Sequence, residues 1–169
     1  VVIATGATPL SLEVPGVERR NVVQANDVIM GKAEVGERVV VAGGRYVGME
    51  VALALARQRK KASLVTRRHL GRDTERNIYR ELRDRLFEQG VQIYENSPVW
   101  EIREDGVYIA FHKELVFLKA DTVVLAVGAR PERELGEKLD KAGYKVYMIG
   151  DCVEARDAMQ AVREGAEVW

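Results

Sequence analysis

An α/β fold with a doubly wound, mostly parallel sheet is what this chain of 169 residues predicts, on three observations. Residues 1–9 (VVIATGATP) and 123–131 (VVLAVGARP) are a near-repeat, identical at six of nine positions. Each copy is a short apolar strand that stops at a Gly and then a Pro, as a strand buried on both faces does where it leaves a sheet. Between the copies, residues 39–50 (VVVAGGRYVGME) read as a strand, a glycine-rich turn and a helix in succession. Around that unit, strand and helix patterns alternate before a short run of period-two segments. The prediction is a Rossmann-like doubly wound sheet with a small antiparallel β insert, plus a partial second dinucleotide lobe.

Each element has a local reason. Residues 1–5 are an apolar strand ended by Gly6-Ala7-Thr8-Pro9, and residues 10–21, with Pro15-Gly16, form a connector. Residues 26–30 predict one helical turn capped by Asn26 or Asp27. After the strand 39–41, Val47, Val51, Leu55 and a run of alanines recur at helical spacing across residues 47–61. Arg57, Arg59, Lys60 and Lys61 fall in its last turns, where cations suit the helix dipole. Residues 63–65 are the next strand. Residues 74–88 predict a second helix with Ile78, Leu82 and Leu86 on one face and Gly90 as its stop. A strand at 91–94 follows. Residues 98–111 and 114–117 alternate apolar and polar, with turns at Asp105-Gly106 and His112-Lys113, which predicts an antiparallel meander. Residues 120–127 return to the sheet, 145–149 form a last strand before Gly150-Asp151, and 158–169 a last helix.

The expected organisation is a partial lobe and connector at 1–24, a nucleotide-binding domain at 25–132 and a second partial strip at 133–169. The apolar strands at 1–5 and 146–149 need neighbours, so they are expected to pair with each other or across a homodimer. The chain opens on Val1 within an apolar run and ends at Trp169 within a helical one, so it reads as a piece of a longer polypeptide.

Composition narrows the functional classes. At 47% hydrophobic and 31% charged the chain is globular rather than disordered, and no apolar stretch reaches membrane length. Lys+Arg and Asp+Glu are both 26, which gives no support to overall affinity for nucleic acid or membranes. The single Cys152 excludes an intrachain disulfide and fits a reducing, cytoplasmic setting. His69 and His112 are too isolated to form a metal site. Cys152 reads as a small buried filler, and Trp100 and Trp169 as packing residues. Asp73, Glu75, Glu81, Asp84 and Glu88, interleaved with arginines, read as a salt-bridged exposed helix face. No catalytic acid–base or nucleophile constellation is evident.

The glycine turn carries the sharpest signal. In Gly-x-Gly-x-x-Gly the first Gly makes the tight turn, the second admits a pyrophosphate, and the third lets helix and strand pack closely. Here Gly43-Gly44-Arg45-Tyr46-Val47-Gly48 keeps the first and third, and Arg45 takes the second place. Two outcomes stay open at this point: the guanidinium pairs with phosphate, or it fills the crevice and abolishes binding. At the end of the next strand an acidic residue selects NAD, and an Arg accommodates the 2′-phosphate of NADP. Thr66 stands where the carboxylate belongs, and Arg67 and Arg68 follow, which favours NADPH over NADH.

Taken in order, VVIATGATP, VVVAGGRYVGME, ADTVVLAVGARPE and MIGDC resemble the two-lobe flavin- and pyridine-nucleotide-dependent oxidoreductases. The likeness is nearest to the C-terminal half of 2,4-dienoyl-CoA reductase, 2-enoate reductase and other multidomain old-yellow-enzyme relatives. It implies a pyrophosphate site at Gly43, Gly44, Arg45, Tyr46, Val47 and Gly48, and a nicotinamide end at Glu50. It implies an adenosine 2′ site at Thr66, Arg67 and Arg68, with Gly128 and its neighbours passing close to the cofactor. Gly6 resembles a turn bordering FAD, and Asp151 the residue of the final FAD motif. It implies that NADPH delivers hydride to FAD in the intact protein. The catalytic barrel with its FMN, and the cysteines of an iron–sulfur cluster, would belong to the rest of that polypeptide, so the piece alone is expected to turn over negligibly. The rival expectation is a module of the same fold, closed by Arg45, with a structural or docking role.

Overall fold

The computed structural model describes residues 1–72, 74–156 and 158–168. Asp73 and Trp169, expected on a helix face and in packing, lie outside the described residues. The chain divides into two compact units, Ser11–Val127 and Val1–Leu10 with Gly128–Trp169.

The first unit is built on a five-stranded parallel sheet. Its strands are β3 (Val22–Gln24), β4 (Arg38–Ala42), β5 (Lys61–Val65), β6 (Gln92–Tyr94) and β10 (Thr122–Leu125), in the order β3-β10-β4-β5-β6. Period-two alternation sends Val39, Val41, Leu64 and Val124 to one face and Val40, Ala42, Val65, Val123 and Leu125 to the other. Both faces are covered, which is why the central strands β4 and β10 are apolar after their first residue rather than amphipathic. On the first face pack α1 (Ala25–Ile29), α2 (Tyr46–Arg57) and α3 (Arg76–Glu88). On the second lies a three-stranded antiparallel sheet of β7 (Val99–Arg103), β8 (Gly106–Phe111) and β9 (Glu114–Lys119), which contributes Ile102, Val107 and Ile109. This is the expected meander. His112 and Lys113 turn it with φ of 48° and 69°, the two left-handed residues that a tight hairpin requires.

Several boundaries differ from expectation for tertiary reasons. Residues 22–24, which local pattern assigns to no element, join the sheet as β3 directly after the connector, pairing with β10. The connector is tied to the insert where the Pro15 carbonyl accepts the Ile102 N–H at 2.9 Å. Helix α1 starts at Ala25 with Gln24 as its cap, so neither Asn26 nor Asp27 caps it. Helix α2 stops at Arg57 because Arg59 turns left-handed (φ 64°) and Lys61 already belongs to β5. On α3 the buried face runs through Tyr79, Leu82 and Leu86, which leaves Ile78 to one side and 42% exposed. Glu75 caps α3, accepting the N–H groups of Asn77 and Ile78. Trp100, expected to pack, is 60% exposed, because a bulge between Val99 and Glu101 takes it out of the paired register.

The second unit is smaller. Strand β1 (Val2–Ile3) pairs in parallel with β12 (Tyr147–Met148), so the two terminal apolar segments do fold against each other. Strand β2 (Ala7–Pro9) pairs antiparallel with β11 (Ala129–Pro131). These are the Gly-Ala-x-Pro ends of the two sequence repeats, joined as one ribbon. The Leu10 N–H donates to the Gly128 carbonyl at 2.9 Å and the Glu132 N–H to that of Gly6 at 3.0 Å. Helix α4 (Glu134–Lys141), a 3₁₀ turn (Gly150–Cys152) and helix α5 (Ala158–Glu167) complete the unit. Cys152 is fully buried, its Sγ 3.0 Å from the Ile149 carbonyl.

The amino ends of β4 and β10 are locked by charge. The Asp121 carboxylate accepts from the Arg38 guanidinium and from the Arg38 N–H at 2.8 Å. The guanidinium hydrogen bond is the main cause that holds the Asp121 carboxyl down at about 2, below its ordinary 3.8. A depressed acid stabilises the fold above its unfolded value, and that contribution is lost as pH falls through the folded one. The urea midpoint is therefore expected to drop between about pH 4 and pH 2 by more in the native chain than in Asp121→Asn; equal drops would refute the linkage. Gly43 has a φ of +129°, and a Cβ there would stand 2.2 Å from the Ala126 carbonyl oxygen. Gly43→Ala is expected to lose about 1–3 kcal/mol in chemical denaturation; an unchanged midpoint would mean that the turn relaxes freely.

Candidate functional site

Strand order reverses between β4 and β10, and ligands of open α/β sheets bind outside the carboxyl ends of strands at such a point. At that end β4 runs into Gly43-Gly44 and β5 into Thr66-Arg67-Arg68. Three glycines there are demanded by protein atoms. A Cβ on Gly43 would meet the Ala126 carbonyl oxygen at 2.2 Å, one on Gly44 the Thr66 side chain at 2.6 Å, and one on Gly48 the Gly43 carbonyl oxygen at 1.8 Å. The turn is pinned by the Gly43 N–H, which donates to the Val65 carbonyl at 2.8 Å, and by the Gly44 carbonyl, which accepts the Gly71 N–H at 2.7 Å.

Arg45 is the cap of α2, with φ −83° and ψ −176°, an extended backbone open to any residue. The departure from glycine therefore costs no backbone strain. Arg45, Tyr46 and Val47 are exposed, whereas Gly44 and Gly48 are buried. Glu50 is exposed one turn on, and its hydrogen bond with the Tyr46 hydroxyl is the main cause that pushes the phenol above its ordinary value.

Thr66 is 7% exposed and its hydroxyl is engaged locally, accepting the Arg68 N–H at 3.4 Å. Its N–H donates to the Tyr94 carbonyl at 2.9 Å and its own carbonyl accepts the Ser97 N–H at 2.8 Å. It shapes the loop that displays Arg67 and Arg68, both exposed. Glu95 and Ser97 serve the same loop, although nothing in the sequence reading singled them out. The Glu95 carboxylate accepts the Leu70 N–H at 2.5 Å, and the fully buried Ser97 donates its hydroxyl to the Glu95 carbonyl at 2.7 Å. The signal available was the polar run Glu95-Asn96-Ser97 straight after a strand, with Asn96 left-handed at φ 52°.

The other expected residues belong to the second unit. Gly128 has φ +107° and Gly6 φ +78°. Gly6, Ile149, Gly150, Asp151 and Arg156 line an open depression of about 400 Å³. The Asp151 carboxylate accepts the Arg156 N–H at 3.3 Å, and the Gly150 N–H donates to Glu164 at 2.6 Å. That backbone bond, ahead of the Arg156 guanidinium, holds the Glu164 carboxyl below its ordinary value. The fold thus brings Gly6 and Asp151 together, 145 positions apart in sequence (151 − 6). His69 and His112 are both exposed. Among the described residues no group of three metal-ligating side chains occurs, and no helix is long and apolar enough to cross a membrane.

Residues 1–165 match the family described as pyridine nucleotide-disulphide oxidoreductase. The chain is 34% identical to an NADH oxidase of Thermoanaerobacter brockii, over 99% of this chain and 27% of that protein. It is 30% identical to a metal reductase of Desulforamulus reducens, over 97% of this chain and 29% of that one. A solved complex of 2-naphthoyl-CoA reductase with 2-naphthoyl-CoA superposes with a TM-score of 0.90 at 29% identity, over 97% of this chain and 25% of its own. The chain therefore spans between a quarter and a third of the length of these proteins. With a match over nearly all of its length and the glycine turn at the sheet's switch point, the chain belongs to the pyridine nucleotide-disulphide oxidoreductase family.

Proposed function

We propose that this chain is the NAD(P)H-binding portion of a flavin-dependent oxidoreductase, with NADPH favoured. The observation that carries the reading is the carboxyl edge of β4 and β5. There a glycine turn with no room for side chains at positions 43, 44 and 48 faces the same edge as Arg67 and Arg68. Backbone amides of such a turn donate to a pyrophosphate, and the two guanidinium groups suit a 2′-phosphate. Glu50 serves the nicotinamide end, and Tyr46 and Val47 flank the turn. Gly6 and Asp151, with the Gly150 backbone, would border a flavin dinucleotide. When bound, the nicotinamide supplies a hydride and the flavin accepts it. This chain's residues bind and orient, and none is assigned a catalytic role.

The likeness to 2-naphthoyl-CoA reductase supports a finer reading, a relative of the dienoyl-CoA and enoate reductases. Its partner is then a catalytic barrel of the same polypeptide, carrying FMN and an iron–sulfur cluster, and self-association as a homodimer is the alternative cover for the second unit.

Calorimetric titration is expected to give saturable binding of NADPH about tenfold tighter than NADH. Replacing Arg67 and Arg68 together by Ala should bring the two affinities level. Absence of binding by either nucleotide would favour a structural or docking module instead. Stopped-flow absorbance should show no NADPH oxidation without added flavin; oxidation by the chain alone would contradict the assignment of a purely binding role.

A further inference from the structure

We infer that the segment Glu95-Asn96-Ser97, between β6 and β7, sets the strength of coenzyme preference by bracing the loop that carries Arg67 and Arg68; this rests on the NADPH reading above. Glu95 and Ser97 are positioning residues that act through the loop backbone. The loop is tied at every second residue. The Thr66 carbonyl accepts the Ser97 N–H at 2.8 Å, and the Arg68 carbonyl accepts the Asn96 N–H at 3.3 Å. The Leu70 N–H donates to the Glu95 carboxylate at 2.5 Å. Residues 66, 68 and 70 are thus each held by one residue of the segment, and both arginines stand on or between these ties.

The brace is itself anchored away from the loop. Ser97 is fully buried, and its hydroxyl donates to the Glu95 carbonyl at 2.7 Å. Asn96 is left-handed at φ 52°, a conformation that its short polar side chain tolerates. Next in the chain, the Pro98 carbonyl accepts the Ala110 N–H of β8 at 3.0 Å. The antiparallel layer therefore does more than cover the sheet, because it also backs the loop after β5. Two guanidinium groups on a loop already ordered bind a phosphate without the cost of ordering it at the moment of binding. A coenzyme without the 2′-phosphate gains nothing from that order. Glu95 also sets a negative charge on the same loop, which by itself opposes an anion. Its worth to the site is geometric, so Gln, with the same reach and an acceptor oxygen, should replace it.

Calorimetric titration of NADPH and NADH separates these effects. Glu95→Ala is expected to weaken NADPH about fivefold and to leave NADH unchanged, with Ser97→Ala acting in the same direction. Glu95→Gln should keep the native preference or sharpen it. Hydrogen exchange over residues 66–71 should quicken in Glu95→Ala and stay native in Glu95→Gln. In a chain whose Arg67 and Arg68 are both Ala, Glu95→Ala should change neither affinity, because its effect passes through the arginines. Thermal melting by circular dichroism verifies folding, and Glu95, an exposed residue, carries the test should Ser97→Ala fail to fold. Equal weakening of both nucleotides, an unchanged preference in Glu95→Ala, or tighter NADPH binding in both Glu95 variants would overturn the inference. Native binding without preference for NADPH would remove the coenzyme reading, and binding of neither nucleotide the nucleotide reading as a whole, whatever the Glu95 variants do.

Discussion

The fold of the larger unit, Ser11–Val127, depends on one close approach of bare backbone. The Gly43 carbonyl oxygen occupies the place that a Cβ on residue 48 would take, and the Ala126 carbonyl crowds Gly43 in turn. Strand β4, helix α2 and strand β10 therefore meet with no side chain between them. That contact sets the angle at which α2 leaves the sheet and brings its first turn to the edge where β4 and β10 end. Once α2 is placed, Met49, Val51, Ala52, Leu53 and Leu55 are buried on the sheet, and α3 closes the layer with Leu82 and Leu86. The amide-lined turn is a by-product of the same geometry, so the packing that stabilises the fold and the surface proposed to receive a phosphate cannot be varied independently.

Charge is distributed unevenly along the sheet. At the amino ends of β4 and β10, Arg38 and Asp121 neutralise each other within the fold. At the carboxyl ends the turn after β4 and the loop after β5 expose Arg45, Arg67 and Arg68, with the carboxylates Glu50 on α2 and Glu95 after β6 also exposed. The loop is held by hydrogen bonds to groups that bear no positive charge, among them Thr66, Glu95 and Ser97. The scaffold thus spends its polar side chains on positioning and presents cations at the edge. A sheet covered on both faces, by helices and by an antiparallel layer, leaves such an edge as its accessible polar surface.

Much of this was legible in the chain, and the exceptions share a cause. The apolar strands, the glycine turn, the meander with its His112-Lys113 turn and the stop at Gly90 follow from periodicity and local sterics. Thr66, Arg67 and Arg68 follow β5 as the strand pattern predicts, but the burial of Thr66 against Gly44 is not legible, because the two lie 22 positions apart (66 − 44). Ile78 and Trp100 were read from spacing alone. The true face of α3 is set by Tyr79 against the loop at Gly71, and Trp100 by a bulge that no periodicity reveals.

By itself the sequence determined what neighbours within a few residues can decide: which segments are strands or helices, where the chain must turn, and that a glycine-rich turn sits between β4 and α2. Only the tertiary structure decided which segments meet. The near-repeat is the clearest case, since its two Gly-Ala-x-Pro ends are similar in sequence yet pair antiparallel with each other as β2 and β11. The pairing of β1 with β12 and the gathering of Gly6 with Asp151 are of the same kind. Backbone hydrogen bonding does not read side-chain identity, so partners remote along the chain are chosen by the packing of the whole unit and leave no local mark.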